Sequence, residues 1–121
     1  MNINAAVKYL DEHAGKESTS KCAQAVRRAL EAGGTIINPH PREAKAYGPY
    51  LTVAGFREID KTKYLPTKGD IAVIQSYEGG DPAGHIAMFN GSIWESDFKQ
   101  KDMWSGPGYR KYQPDYKIYR P

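Results

Sequence analysis

Apolar residues near the start of the chain recur every three or four positions, which is the spacing of an amphipathic helix. In the first stretch they are Ile3, Val7, Leu10 and Ala14. Gly15 is a natural stop signal, so the pattern predicts a helix over residues 3–14. A second helix is predicted from candidate N-caps at residues 18–20 to about Ala32, because two glycines follow it.

A loop-rich segment separates these helices from the first clear strand. Residues 35–42 contain two prolines and are predicted to form a loop, and residues 43–56 to hold a short helix broken near Gly48 and Pro49. The run at residues 71–75 is apolar on both faces, which is typical of a central strand.

The last third of the chain predicts an antiparallel sheet. The stretch "GHIAMFNGSIWESDF", residues 84–98, indicates two strands joined at Asn90 and Gly91, a strong hairpin signal. Alternating side chains at residues 116–120 predict one further strand. Because helices come first and antiparallel strands follow, we expect an α+β fold with N-terminal helices packed on a central sheet.

Length and composition fit one globular domain over residues 1–121, 40% apolar and 26% charged. The 17 basic residues outnumber the 14 acidic ones but are scattered, so the net charge of +3 gives little reason to expect a nucleic-acid partner. A single cysteine excludes an intrachain disulfide and a cysteine-rich metal site. Without a membrane-length apolar run or signal-peptide features, we expect a soluble chain made in the cytoplasm.

Cys22 is the candidate nucleophile. On the second predicted helix it belongs to the apolar stripe of Ala25, Val26, Ala29 and Leu30. That position favours an inert packing cysteine. Its place in the first turn favours chemistry, because free backbone N–H groups and the helix dipole lower the pKa of a thiol there. The same N–H groups are suited to an oxyanion, so both interpretations stay open.

His85 is the candidate base that a nucleophilic cysteine needs. It opens a predicted strand beside the central strand, from where its side chain could face the second helix. A buried structural histidine is the alternative. His13, near the polar end of the first helix, and His40, between two prolines, are expected to face solvent.

A third group should orient the imidazole, and the partner strand offers Glu95 and Asp97. A two-residue turn at residues 90–91 pairs His85 with Ser96 and sends both acids to the other face. A three-residue turn places His85 opposite Glu95 or Asp97. The acid hypothesis therefore requires the odd register, whereas local turn propensity favours the even one.

These residues, in this order, resemble the papain-like bacterial cell-wall hydrolases. The pattern is a cysteine at the head of a helix, "PTKGDIAVI" at residues 66–74, "GHIAMFNG" at residues 84–91, and then an acidic strand. The CHAP amidases, the NlpC-type peptidases and the small amidase toxins of type VI secretion share it, and the similarity runs from about residue 18 to the end. Ser20 and Lys21 depart from the pattern, since many relatives have Gly and then Asp or Asn there.

The resemblance implies a papain-like fold and a cysteine amidase or peptidase that cleaves amide bonds in the peptide part of peptidoglycan. It implies Cys22 as nucleophile, His85 as general base and Asp97 as third residue, with Glu95 as second choice, and it requires no metal or cofactor. It further implies action at the cell wall after delivery by a secretion or phage route. We expect a monomer and, for a secreted toxin, a cognate immunity protein.

Two other functions fit the same residues: a non-catalytic binding module of this fold, and a Cys-His acyltransferase or amidase acting on a substrate other than the cell wall. Four aromatic residues in Gly- and Pro-rich segments are candidates for a substrate groove, with core packing as the alternative: Tyr47, Tyr50, Trp104 and Tyr109. Asp70 precedes a buried strand and is expected to be a turn residue.

Overall fold

The computed structural model describes all residues 1–121. Its α-helices are α1 (Ile3–His13), α2 (Cys22–Ala32), α3 (Gly48–Val53) and α4 (Pro107–Tyr112), with a short 3-10 helix at Ala44–Ala46. Its strands are β1 (Arg57–Ile59), β2 (Ile71–Ile74), β3 (His85–Phe89), β4 (Trp94–Glu95) and β5 (Tyr116–Arg120). None of the helices combines the length and hydrophobicity needed to cross a membrane.

One antiparallel sheet organises the molecule, with the strand order β1-β5-β2-β3-β4. The central strand β2 is buried along its whole length, as its apolar run predicts. Helices α1 and α2 pack on the face that carries Val73 of β2 and Ile86 and Met88 of β3. The prediction of an α+β fold with N-terminal helices on a central sheet is confirmed.

The opposite face of the sheet is covered by the C-terminal part of the chain. Ala72 and Ile74 of β2 and Ala87 of β3 pack there against Trp94 and Tyr109. Because side chains alternate along a strand, this is also the face to which the first residue of β3 points. That residue is His85, so its side chain projects from the face of the sheet that carries Tyr109, at the end of β3 that lies beside the start of α2.

The predicted elements and the observed ones differ at short segments. Helices α1 and α2 and strands β2 and β5 lie where the patterns predict them. Strand β1 is only three residues long and carries no alternation to detect. Helix α4 lies in a Gly- and Pro-rich stretch that predicts irregular structure, yet Pro107 fits the first position of a helix, where no N–H is required.

The hairpin between β3 and β4 has none of the three registers that a two- or three-residue turn at Asn90 and Gly91 predicts. Met88 pairs with Glu95, across a four-residue loop that begins at Asn90. The Asn90 side-chain oxygen accepts the N–H groups of Ser92 and Ile93, each at 2.8 Å, and so stabilises the wider loop. The predicted two- and three-residue turns are therefore both wrong. The observed register differs from that of the two-residue turn by an even step, so Glu95 lies on the face opposite His85, as that turn predicted.

Asp70 joins the start of β2 to the end of β5. Its carboxylate is fully buried and accepts two hydrogen bonds from the Arg120 guanidinium, at 2.8 and 2.9 Å. The Tyr64 hydroxyl at 2.6 Å and the Thr67 N–H at 2.9 Å complete its partners. Asp70 thus closes the turn before β2, as expected, and also carries a buried ion pair between two strands.

Candidate active site

A cavity of about 570 Å³ lies where α2, β3 and α4 begin. Cys22 lines it from the first position of α2, and His85 from the first position of β3. The fold thus brings together the predicted nucleophile and the predicted base from two different elements. The volume is in the range of sites that enclose a small ligand or a peptide segment.

The first turn of α2 presents free backbone donors to this cavity. The N–H groups of Cys22, Ala23 and Gln24 donate to no backbone oxygen, and all three residues line the cavity. The N-cap residue, Lys21, provides no side-chain cap. Free N–H groups at a helix start are suited to hold the negatively charged oxygen of a tetrahedral intermediate.

Ser20 stands at the edge of the cavity in an unusual backbone conformation. Its φ is +60°, in the left-handed region that glycine adopts without a steric penalty. This is the position where the resembled family often has glycine. The departure in sequence therefore leaves the backbone shape in place, and the chain accepts some local strain next to Cys22.

The thiol of Cys22 does not have the lowered pKa that its helix position predicts. Burial of the sulfur raises the pKa to about 11, and the negative charge of Asp97 adds to the rise. The backbone N–H groups of Ile86 and Ala23 act in the opposite direction but do not offset the loss of solvent. At neutral pH the free protein therefore holds a protonated thiol.

His85 is buried and hydrogen-bonded through one ring nitrogen. Its Nε2 lies 2.7 Å from Oε1 of Gln100, and the ring packs at 5.9 Å between centroids from the ring of Tyr109. Burial lowers the pKa of His85, although the hydrogen bond that its Nε2 donates to Gln100 acts in the opposite direction. The imidazole is therefore neutral at neutral pH, and its Nδ1 makes no hydrogen bond within the protein.

Gln100 fixes the tautomer of this imidazole. Its Nε2 donates to the backbone carbonyl oxygens of Asp102, at 3.0 Å, and Met103, at 3.2 Å. The amide oxygen must then face His85, because a nitrogen that already donates to two carbonyls is directed away from the ring. An accepting oxygen requires a proton on Nε2 of His85, which leaves Nδ1 as the basic nitrogen.

Nothing in the sequence pattern singles out Gln100. The chain turns back sharply after β4. There the Ser96 N–H donates to the Phe98 carbonyl, and the backbones of Glu95 and Lys99 form an isolated antiparallel β-bridge. This reversal brings Gln100 beside β3. Gln100 therefore lies outside the predicted set of acids on the partner strand, although an amide can orient an imidazole as well as a carboxylate can.

Asp97 holds the loop before Cys22 and does not contact the imidazole. Its Oδ2 accepts the Thr19 N–H at 2.5 Å, the Thr19 hydroxyl at 2.8 Å and the Lys21 N–H at 3.3 Å. Burial opposes ionisation, but these hydrogen bonds keep the pKa of Asp97 below its usual range. The predictions that Asp97 orients the imidazole and that residues 18–20 cap α2 with their own side chains are both wrong.

Glu95, the second choice, is also separated from the imidazole. It pairs with Met88, whose side chain packs on the α1–α2 face of the sheet, whereas the imidazole lies on the other face. Its side chain is fully buried, and neither carboxyl oxygen has a hydrogen-bond partner. Burial, and then the carboxylate of Asp11, raise the pKa of Glu95 to about 8. The prediction that Glu95 replaces Asp97 behind His85 is therefore wrong.

We expect Glu95→Gln to flatten the pH dependence of stability. The pKa of Glu95 is higher in the folded chain than in the unfolded one, so its contribution is fully present below the unfolded pKa and is lost as pH rises towards 8. Above pH 8 the free energy of unfolding of the variant should exceed that of the parent by about 1–3 kcal/mol, because a buried carboxylate without partners is removed.

Urea unfolding of both proteins between pH 4 and 9 checks the Glu95 prediction. The exposed Glu58, exchanged for Gln, is the matched control and should leave the pH dependence unchanged, since its partner Lys117 is also at the surface. Parallel curves for the parent and Glu95→Gln would show that the Glu95 carboxyl is solvated.

The predicted aromatic groove is only partly present. Of the four candidates, Tyr109 lines the cavity, and Tyr77, which the sequence did not single out, lines it too. Tyr47 is buried in the core and Trp104 packs edge-on against Tyr116. The fourth, Tyr50, lines a separate apolar hollow of about 520 Å³. His13 and His40 are exposed, as expected.

Comparison with known proteins gives matches among solved structures. No protein-family model and no curated protein sequence matches the chain. The native crystal structure of the type VI effector-immunity complex Tae3-Tai3 from Ralstonia pickettii matches with 42% identity and a TM-score of 0.92, over 99% of this chain and 98% of that chain. Its selenomethionine form matches with 43% identity and a TM-score of 0.88, over 96% and 99%.

The matched partner in these complexes is the effector, and the likeness confirms the papain-like α+β fold. Identity above 40% over nearly the full length of both chains is far more than a shared fold requires. The chain belongs to the family of the type VI effector Tae3.

Proposed function

We propose that this chain is a cysteine amidase that hydrolyses amide bonds in the peptide part of bacterial peptidoglycan. The observation that carries the proposal is the shared cavity, where Cys22 at a helix start meets His85 held by Gln100. The family supports the substrate class, because Tae3 effectors are peptidoglycan amidases. A relation to the CHAP and NlpC groups within the papain-like hydrolases stays a prediction.

The proposed reaction begins from an uncharged pair. The high pKa of Cys22 and the low pKa of His85 keep the thiol and the imidazole neutral at rest. As Sγ attacks the carbonyl carbon, Nδ1 of His85 takes the thiol proton, so the imidazole acts as a general base. The free N–H groups at the start of α2 then hold the oxyanion.

Collapse of the tetrahedral intermediate breaks the carbon–nitrogen bond. Nδ1 of the imidazolium returns its proton to the leaving amine, and a thioester between Cys22 and the acyl part remains. A water molecule then attacks the thioester, with His85 again as base, and releases the carboxylic acid and the thiol. Gln100 keeps Nε2 protonated throughout, so that Nδ1 is the nitrogen that exchanges protons.

Digestion of purified peptidoglycan, followed by mass spectrometry, tests this proposal. We expect one new amine and one new carboxyl group for each cleaved bond, and no product from the Cys22→Ala variant. Products that carry an added amine in place of water would indicate an acyltransferase. Binding without any product would indicate a non-catalytic module, and either result would overturn the proposal.

We also propose delivery by type VI secretion and a cognate immunity protein as partner. The support is that both matched structures are effector-immunity complexes. An immunity protein that blocks hydrolysis should cover the Cys22–His85 cavity. Inhibition of the purified enzyme by the product of a neighbouring gene, together with loss of Cys22 alkylation in the complex, checks both points.

Gln100→Leu is expected to lower kcat about 10- to 100-fold, the usual effect of removing a side chain that orients a functional imidazole. The reason is that Nε2 of His85 loses its acceptor, so the ring is free to rotate and to change tautomer. KM should change little, since Gln100 does not line the cavity. Steady-state kinetics on a soluble peptidoglycan fragment provide the measurement.

The matched control for Gln100 is Gln75→Leu. Gln75 is an exposed amide that donates only to the Lys45 carbonyl, outside the cavity. Its variant should retain full activity. Equal activity of Gln100→Leu and the parent enzyme would contradict the role given to Gln100.

A further inference from the structure

A second layer of polar contacts stands behind Gln100. The two carbonyls that accept from its amide belong to Asp102 and Met103. Arg110 of α4 reaches the same short segment from the other side: its Nε donates to Asp102 Oδ2 at 3.0 Å, and its second guanidine nitrogen approaches the Trp104 carbonyl at 3.4 Å. The Arg110 side chain thus forms hydrogen bonds with both ends of the segment at residues 102–104.

We propose that Arg110 is a positioning residue for the amidase reaction, an inference that rests on the proposed function. Through Asp102 and Trp104 it holds in place the two carbonyls that determine which end of the Gln100 amide faces His85. The amide in turn determines which imidazole nitrogen carries the proton. Arg110 thereby acts on His85 through the segment at residues 102–104 and through Gln100, and it does not line the cavity.

The two ends of an amide have nearly the same shape, so only hydrogen bonding distinguishes them. If the segment at 102–104 relaxes, the Gln100 amide can turn over and present Nε2 to the imidazole. Nε2 of His85 must then accept, and its proton moves to Nδ1. An imidazole protonated on Nδ1 cannot take the thiol proton there, so that fraction of the enzyme is inactive.

The pair formed by Arg110 and Asp102 contributes little to overall stability. The side chains are 33% and 43% exposed, and partly solvated ion pairs have small net effects. Asp102 also keeps one carboxyl oxygen, Oδ1, buried without a partner. A contact that adds little stability, yet fixes the segment behind the imidazole, is better explained by orientation than by folding.

Arg110→Met removes both hydrogen bonds and keeps the aliphatic stem. We expect kcat to fall about tenfold with KM unchanged, in line with other residues that orient a functional imidazole indirectly. Adding Arg110→Met to Gln100→Leu should cause no further loss, because Arg110 acts only through Gln100. Multiplication of the two effects would overturn the inference, as would full activity of Arg110→Met.

A second readout does not depend on activity. Nitrogen-15 chemical shifts of the His85 ring should show a proton on Nε2 in the parent protein and a mixture of tautomers in Arg110→Met. Lys111→Met, on the same helix and exposed, is the matched control and should match the parent. A tautomer that is unaffected by Arg110→Met would overturn the inference.

These measurements separate the two proposals. If the parent protein cleaves no peptidoglycan but the His85 tautomer changes in Arg110→Met, the proposed function fails, and the effect of Arg110 on the His85 tautomer stands. If the parent cleaves peptidoglycan and neither kcat nor the tautomer responds, the proposed function stands and the inference fails.

Discussion

Exchange of Cys22 for Ala is expected to lower the rate of peptidoglycan hydrolysis by about 10⁴-fold or more, the scale seen when a nucleophile is removed from a catalytic unit. Cys22 is the only cysteine of the chain and lines the cavity beside the free N–H groups at the start of α2, so its exchange removes the thiol that the proposed reaction uses. The melting temperature should stay close to that of the parent, because Cys22 is only partly buried. Product formation and thermal unfolding, measured on the same preparation, check the prediction.

The pH dependence of Cys22 alkylation shows whether the resting protein holds a protonated thiol or a thiolate. A thiol pKa of about 11 predicts that the rate with iodoacetamide rises about tenfold per pH unit between pH 7 and 10. A fast rate that is constant from pH 6 upward would instead reveal a thiolate-imidazolium pair at rest and contradict the neutral pair. Cys22→Ser, which should fold equally well and not be alkylated, is the control.

Asp70→Ala is expected to lower the free energy of unfolding by about 3–5 kcal/mol, the usual cost of removing one partner of a buried ion pair. Asp70 is fully buried and accepts four hydrogen bonds from Arg120, Tyr64 and Thr67. Truncation removes the anionic partner of the guanidinium, which keeps only the Thr67 hydroxyl and the Leu65 carbonyl as acceptors, and it leaves the Tyr64 hydroxyl without an acceptor. Urea unfolding measures the loss.

An exposed ion pair on the same sheet provides the control. Lys117 and Glu58 join β5 to β1 at 3.5 Å, with side chains 61% and 54% exposed, so Glu58→Ala should cost at most about 1 kcal/mol. The double variant Asp70→Ala with Arg120→Leu should be less destabilised than the sum of its parts, because no unpaired charge remains. Additive losses would indicate that the two charges act independently.

The Asp70 ion pair also makes the stability of the protein depend on pH. Burial alone would raise the pKa of Asp70, but the hydrogen bonds from Arg120 and Tyr64 hold it below its usual range. A carboxyl with a lowered pKa in the folded chain contributes stability at neutral pH and loses it as pH falls through the acid range. When this ion pair is absent, acid unfolding should therefore begin at a higher pH than in the parent protein.

The position of Cys22 and the choice of His85 follow from local sequence features. A helical apolar stripe, a glycine stop and the start of a buried strand are patterns that a few neighbouring residues produce. They predicted α1, α2, β2 and the class of fold, and both residues line one cavity. The patterns did not predict α4 or the four-residue loop after β3, because short elements depend on what they pack against.

Gln100 illustrates what local patterns cannot contain. Its place behind His85 depends on the wider hairpin loop at Asn90 and on the reversal after Glu95, and each changes the register of everything that follows. Asp97 was displaced by the same changes and binds the loop before α2 instead. Because of these two turns, the amide of Gln100 has the place beside His85 that the sequence predicted for the acid Asp97.

The sequence by itself determined the two N-terminal helices, the central strand and the choice of Cys22 and His85 as candidates for the chemistry, since periodicity and strand or helix ends are local properties. The tertiary structure decided the protonation of Cys22 and the partner of His85. The pKa of a thiol depends on the solvent that surrounding elements exclude, and burial here outweighs the helix start. A hydrogen-bond partner 15 residues away is set by the path of the chain in space, which no short-range pattern encodes.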